Sequence, residues 1–322
     1  MSFHSFKRAV LVLGCLASVG AAAQTFPSKP VRILVPYAPG ATSDLVPRLL
    51  GERMGSDLGQ PVVVENKPGG LGLPAINDVL NNPADGHTLI AADAAHWAVN
   101  PAMQPVNYDF IRDFAPISQT FVNGLLFYVS STLNVNTLHE FIAYAKAHPG
   151  QLNYGTPGVG SVHQLALETF RAGLGLDFKH IPYKGGADAI QSALRGETQF
   201  GVNSQTAVMP QVRAGRLKIV AVTVMNRVKS APELPTVGEV TGLQDFQFPG
   251  QQALFARAGT PRANIDRLNA AVRKAAPELA ARVLEQAASE LIPTTPEQVL
   301  EVMRGDIRRY NNAVKISGIK TQ

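Results

Sequence analysis

The sequence predicts an α/β protein of two lobes, each a mainly parallel sheet flanked by helices, and three features of the chain carry that expectation. Apolar runs of strand length alternate with stretches of helical periodicity. The alternation breaks at a loop over residues 107–113 and then restarts. A stretch over residues 231–250, rich in Pro, Gly and Thr, lacks long helical periodicity and suits a crossing back to the first lobe. With 322 residues, 45% of them hydrophobic, the chain is long enough to build two cores. The expected division is a leader over 1–23, one lobe from 24–122 and 248–322, and the other from 123–247.

The leader comes first. Lys7 and Arg8 precede an apolar run from Ala9 to Gly20, then Ala21-Ala22-Ala23 before Gln24, the pattern of a secretory signal peptide. The run is shorter than the ~20 residues that span a bilayer, so an exported protein is expected. The single cysteine, Cys15, falls inside this leader, leaving the mature chain without disulfide, thiol or cysteine-zinc chemistry. Val12-Leu13-Gly14-Cys15 weakly resembles a lipoprotein box, which keeps a lipid anchor at Cys15 as an alternative. The net charge is +5, or +3 without Lys7 and Arg8, and the basic residues are scattered. Nucleic acid is therefore not an expected partner.

The elements follow in order. Val31 to Pro36 reads as a strand, and Leu45, Leu49, Leu50, Met54 and Leu58 then recur at helical spacing, with Pro47 placed in the first turn. Pro61 to Glu65 and His87 to Ala91 are further strands around a short helix from Leu73 to Leu80. In the second lobe the strands are Leu125 to Val129, Gln151 to Tyr154, Asp177 to Tyr183, Thr198 to Val202 and Leu217 to Val224. Thr137 caps one intervening helix, Ser161 with Gln164 forms a capping box for another, and a third covers Asp188 to Leu194. Pro210 marks a turn or short helix, and after Pro261 the chain reads as helical, with a capping box at Thr295-Pro296-Glu297-Gln298.

Two strand-to-helix junctions carry chemistry: Pro39-Gly40-Ala41-Thr42-Ser43-Asp44 and Gly155-Thr156-Pro157-Gly158-Val159-Gly160-Ser161. At a helix start the first N–H groups have no intrahelical partner and the helix dipole favours an anion. Gly40 permits close backbone approach, Ala41 is too small to obstruct, Thr42 or Ser43 can cap, and Asp44 occupies the first turn. At the second junction Thr156 or Ser161 adds a hydroxyl. Two such junctions facing each other would hold one small carboxylate. Either loop alone is equally a tight turn with glycine for backbone reasons.

Phe26 to Gly40, Gly59 to Gly69, Ala84 to Leu89, Tyr154 to His163, His180 to Gly185, Leu234-Pro-Thr236 and Ala258 to Pro261 stand in one order along the mature chain. In these motifs the chain resembles the tripartite tricarboxylate transporter solute-receptor family, also called Bug receptors. The resemblance implies a two-lobed periplasmic binding protein, of the flytrap kind, that closes on a small carboxylate for membrane permease subunits and uses no metal or cofactor. Carried over by position, it implies ligand contacts at Tyr37, Gly40, Ala41, Thr42 and Asp44 and at Thr156, Val159, Gly160, Ser161 and His163. Tyr183, Lys184, Asn203 and Gln205 are expected beside the same cleft. A monomer is expected.

Departures from the family pattern bear on the ligand. Ala41 replaces a second glycine, so a positive φ required there would strain the loop. Gln251-Gln252-Ala253 replaces a tryptophan-bearing segment, which puts Gln251 in a more polar wall. Asp93 replaces a small hydroxyl residue and adds a second acid to Asp44; it either favours a ligand with an amine, an amide or a heteroaromatic ring beyond its carboxylate, or caps the following segment or pairs with a nearby basic side chain. Trp97 could stack on such a ring or belong to the core.

Two other functions remain in view. A sensory receptor reporting to a membrane kinase would carry the same site. Gly70-Leu-Gly72-Leu-Pro-Ala75, with Asp93 about 20 residues on, matches the dinucleotide fingerprint of a nicotinamide-dependent oxidoreductase. Pro74 inside the motif and an earlier βα unit weigh against that enzyme.

Overall fold

Two sheets organise the chain, described over residues 26–229 and 231–319 by a computed structural model. The leader and Cys15 lie outside the described residues. The first sheet is built from β1 (Val31–Val35), β2 (Val62–Asn66), β3 (Thr88–Ala92), β4 (Phe114–Gly124), β10 (Pro249–Arg257) and β11 (Glu290–Leu291), in the order β11-β4-β10-β3-β1-β2. The second is built from β5 (Leu126–Ser130), β6 (Leu152–Thr156), β7 (Phe178–Pro182), β8 (Phe200–Asn203) and β9 (Leu217–Val222), in the order β7-β6-β8-β5-β9. The chain passes between the sheets at Leu125 and again between β9 and β10.

Helices of eight or more residues are α1 (Thr42–Leu58), α2 (Leu73–Asn81), α3 (Leu138–Ala147), α4 (Val162–Leu174), α5 (Gly186–Leu194), α6 (Gln205–Arg213), α7 (Arg262–Ala287) and α8 (Pro296–Ser317). Val46, Leu49, Leu50 and Met54 of α1 pack with Ile33 and Val35 of β1 and with Ile265, Leu268 and Val272 of α7 on one face of the first sheet. A single apolar cluster joins Trp97, Phe110 and Phe255 to Phe127, Phe141, Phe170 and Phe200 of the second sheet, with Val299, Met303 and Tyr310 of α8 included. The strands buried on both faces, such as β3 and β5, are the uninterrupted apolar runs seen in the sequence.

Three expectations are corrected. The sheets are mixed, not mainly parallel: β1 pairs in parallel with β2 and β3, and β6 with β7 and β8, whereas β10, β4, β11, β5 and β9 pair antiparallel to their neighbours. The strands that carry the chain between lobes enter without a βα crossover, so nothing forces them parallel. Strands β4, β10 and β11 have no counterpart in the apolar pattern of the sequence. Their polar residues interrupt the apolar pattern, and these pair across strands: Gln119 Nε2 donates to Gln251 Oε1 at 3.1 Å and Thr120 Oγ1 to the Gln252 carbonyl at 3.0 Å. Pro47 lies inside α1, beyond its first turn.

Candidate functional site

The first junction follows β1. Gly40 takes a φ of +98°, and Ala41 is the N-cap of α1 with φ −85° and ψ 168°, an ordinary extended conformation. The strain expected at Ala41 is therefore absent, because Gly40 alone makes the left-handed turn. Thr42 and Ser43 occupy the first two helical positions, where their N–H groups have no intrahelical partner. Asp44 is turned inward and 4% exposed. Its carboxylate accepts from the Gly40 N–H at 3.0 Å, from Arg48 Nε at 3.0 Å and from Asn66 Nδ2 at 2.8 Å. Burial pushes this carboxyl up, but Arg48, the Gly40 N–H and Asn66 outweigh it and hold Asp44 below the ordinary aspartate range. Asp44 thus shapes the loop and occupies the Gly40 donor. Asn66, which also donates to the Tyr37 carbonyl at 3.0 Å, ties the end of β2 to the same loop.

Asp93 follows β3, beside β1. Tyr37 Oη donates to Asp93 Oδ2 at 2.5 Å, His96 Nδ1 lies 2.8 Å from Oδ1, and the Ala95 N–H donates to Oδ1 at 3.0 Å. Burial pushes Asp93 up, and His96, Tyr37 and Ala95 together bring it below the ordinary range. Burial, then Asp93, raises the Tyr37 phenol well above its ordinary value, so the phenol keeps its proton. The two acids expected to act as a pair each have their own local partners.

The second junction follows β6. Gly160 N–H donates to Gln164 Oε1 at 2.7 Å, which fixes the amide so that Gln164 Nε2 donates to His180 Nδ1 at 3.0 Å. His180 Nε2, 2.6 Å from Thr156 Oγ1, then carries the proton, and the Thr156 hydroxyl donates to the Gly158 carbonyl at 3.0 Å. Burial lowers His180 against an opposing pull from Glu168, consistent with this neutral tautomer. Ser161 accepts from the Gln164 N–H at 3.3 Å and donates to the Gly158 carbonyl at 2.8 Å. The expected capping box is thus half formed: the Gln164 side chain returns to Gly160, one residue before the cap. Val162 and His163 hold the first two positions of α4 with unpartnered N–H groups. Burial pushes the His163 imidazole down to about 4, and among the described residues its ring nitrogens bond no other group. Val159 is 64% exposed, and a Cβ on Gly160 would come within 3.3 Å of Met103 Cε, so this loop abuts the helix Asn100–Met103 of the other half of the chain.

The remaining candidates are distributed differently. Tyr183 lies over Gly155, with its hydroxyl bonded to Glu197 Oε2 at 3.0 Å within its own lobe, and Lys184 is exposed. Asn203 Nδ2 donates to the Gly186 carbonyl at 3.0 Å, joining the start of α5 to the end of β8, and Gln205 opens α6. Gln251 lines a cavity of about 660 Å³ with Gln119, Asn123, Met225 and Arg309, and no residue of either junction lines it. Trp97 is a core residue whose indole N–H donates to Asp306 at 3.1 Å. In the dinucleotide lookalike, Gly72 gives room to His96, whose ring stands 2.5 Å from where a Cβ would be, so that glycine serves packing.

Beside Gln251, Gln252 has a partner that no local sequence pattern signals. Pro47 has no N–H, which frees the Ser43 carbonyl from its helical bond, and Gln252 Nε2 on β10 takes that carbonyl at 2.9 Å. A strand that crosses between the lobes thereby holds the N-terminus of α1. Gln252→Leu is expected to lower stability by about 1–2 kcal/mol, and Pro47→Ala in the same background to recover part of it by restoring the donor to Ser43. Chemical denaturation of the single and double variants checks this, and equal losses in both would contradict it.

Residues 46–318 match the family described as tripartite tricarboxylate transporter family receptor. The chain is 34% identical over 85% of its length to a UPF0065 protein of Bordetella pertussis, covering 84% of that protein. It is 30% identical to the protein BugT of the same organism over 98% of this chain and 99% of the other. Similar solved structures include a protein of R. palustris with adipate (TM-score 0.78, 28% identity, 92% of this chain and 99% of that one). MatC from Rhodopseudomonas palustris with bound malate is similar at a TM-score of 0.74 and 28% identity, over 90% of this chain and all of that one.

Proposed function

The chain belongs to the tripartite tricarboxylate transporter receptor family, and from that premise we propose that it captures a small carboxylate in the periplasm and delivers it to the permease of such a transporter. One observation carries the proposal. Each lobe presents a helix start whose first two N–H groups, Thr42 and Ser43 on one side and Val162 and His163 on the other, are left open by the fold. The Gly40 and Gly160 N–H groups are bound internally and hold the loops in shape. His163 adds a neutral imidazole with no partner among the described residues. Charge-assisted bonds from such donors contribute roughly 1.5–3 kcal/mol each, and micromolar capture needs about 8 kcal/mol in total. An open form would take the carboxylate on one loop, and contacts from the other would stabilise closure.

The test is calorimetric titration of protein unfolded, washed free of bound solute and refolded, against a panel of small carboxylic acids. Binding of one molecule per chain at micromolar concentration is the expected result. Absence of heat with every carboxylate in the panel would overturn the proposal.

A further inference from the structure

The floor of the site on the first lobe offers the ligand two acceptors, the Asp93 carboxylate and the Tyr37 phenol oxygen. Tyr37 and Asp93 stand at the carboxyl ends of the adjacent strands β1 and β3, the edge where open α/β sheets bind ligands. Asp93 retains 23% of its side-chain exposure. Its Oδ1 receives two donors, His96 Nδ1 and the Ala95 N–H, whereas Oδ2 receives only the Tyr37 hydroxyl. One lone pair of Oδ2 and those of the phenol oxygen are left to accept. The groups bonded to this carboxylate are a phenol, an imidazole and a peptide N–H, with no arginine or lysine among them. Asp44, the other acid of the lobe, is closed off by Arg48, Asn66 and Gly40 and cannot share the role.

We propose that Tyr37 and Asp93 receive an ammonium group of the ligand, so that the ligand class is an amino-carboxylate and not a dicarboxylate. The inference rests on the carboxylate capture proposed above and adds what the far end of the ligand must be. A second carboxylate placed here would face acceptors only and would lose its water without gaining a donor. An ammonium gains a charge-assisted bond to Asp93 and a second acceptor in Tyr37.

The experiment titrates the refolded protein with γ-aminobutyrate, δ-aminovalerate and norvaline, and with glutarate and adipate, in which a carboxylate stands where the first two carry the ammonium. At least one amino-carboxylate is expected to bind about tenfold or more tightly than either dicarboxylate. Asp93→Asn, which keeps the side-chain shape, is expected to bring that ratio close to one. Dicarboxylates binding as tightly as the amino-carboxylates, or an unchanged ratio in Asp93→Asn, would overturn the inference while leaving carboxylate capture standing. Binding of neither class would overturn both. Should Asp93→Asn fail to fold, the wild-type ratio alone decides.

Discussion

Asp44→Ala is expected to abolish ligand capture and to destabilise the protein by about 3 kcal/mol, a fall in Tm on the order of 5 °C or more. The buried carboxylate collects the Gly40 N–H, the Arg48 guanidinium and the Asn66 amide, three donors from the turn, the helix and the neighbouring strand. Its removal leaves the Gly40 and Asn66 donors without their acceptor, and this contributes more than the pairing with Arg48, whose side chain is 44% exposed and screened by solvent. Without Asp44 the Gly40 turn keeps only the Asn66 bond to the Tyr37 carbonyl beside it, and the donors of Thr42 and Ser43 are no longer held in place. Scanning calorimetry and titration of the same variant test both halves. A variant that keeps wild-type affinity would show that the first loop does not hold the ligand.

The same carboxylate gives a pH signature. Asp44 titrates below its ordinary value of 3.8 in the folded protein, so the unfolded chain binds its proton first as the pH falls. Its stabilisation is fully present above pH 3.8 and is lost as the pH drops through the lower, folded value. Asp44→Asn should therefore show a shallower loss of stability below about pH 4 than the wild type.

What the sequence made legible was whatever is local. Leu89 to Ala92 of β3 and Leu126 to Val129 of β5 are apolar runs because both of their faces are buried, and Thr137, Ser161 and Thr295 cap helices that begin on the next residue. Both junctions could be placed because strand, glycine and helix follow one another within a few residues. The unseen features are bonds between distant residues. Gln252 meets Ser43 across 209 positions, Gln119 meets Gln251 across 132, and neither glutamine belongs to a local pattern that points to its partner. Orientation was equally hidden: Tyr183 was placed by its motif, while the direction of its hydroxyl depends on Glu197, 14 residues further on. The resemblance points to Tyr37 and a departure from it to Asp93, but only the pairing of β1 with β3 sets one on the other.

Gly72→Ala should destabilise the protein by about 3–4 kcal/mol, and it should reach the ligand site as well. Gly72 has a φ of +84°, which disfavours any side chain, and the added Cβ would stand 2.5 Å from the His96 ring and 3.2 Å from Pro36. His96 is 2% exposed and bonded to Asp93, so the ring can yield only by moving the carboxylate that Tyr37 also holds. Gly59→Ala separates the two costs. Gly59 has a φ of +73° and a ψ of 10°, close to the +84° and 0° of Gly72, but nothing within 4 Å of its Cβ position, so it bears the backbone strain of about 1–2 kcal/mol without the collision. The difference between the two variants in denaturant unfolding is therefore the cost of displacing His96, about 2 kcal/mol. If Gly72→Ala also blunts discrimination between amino-carboxylates and dicarboxylates while Gly59→Ala leaves it intact, His96 positions Asp93 for the ligand. Equal destabilisation by the two variants would mean that the ring moves freely, and His96 would then have no part in setting the site.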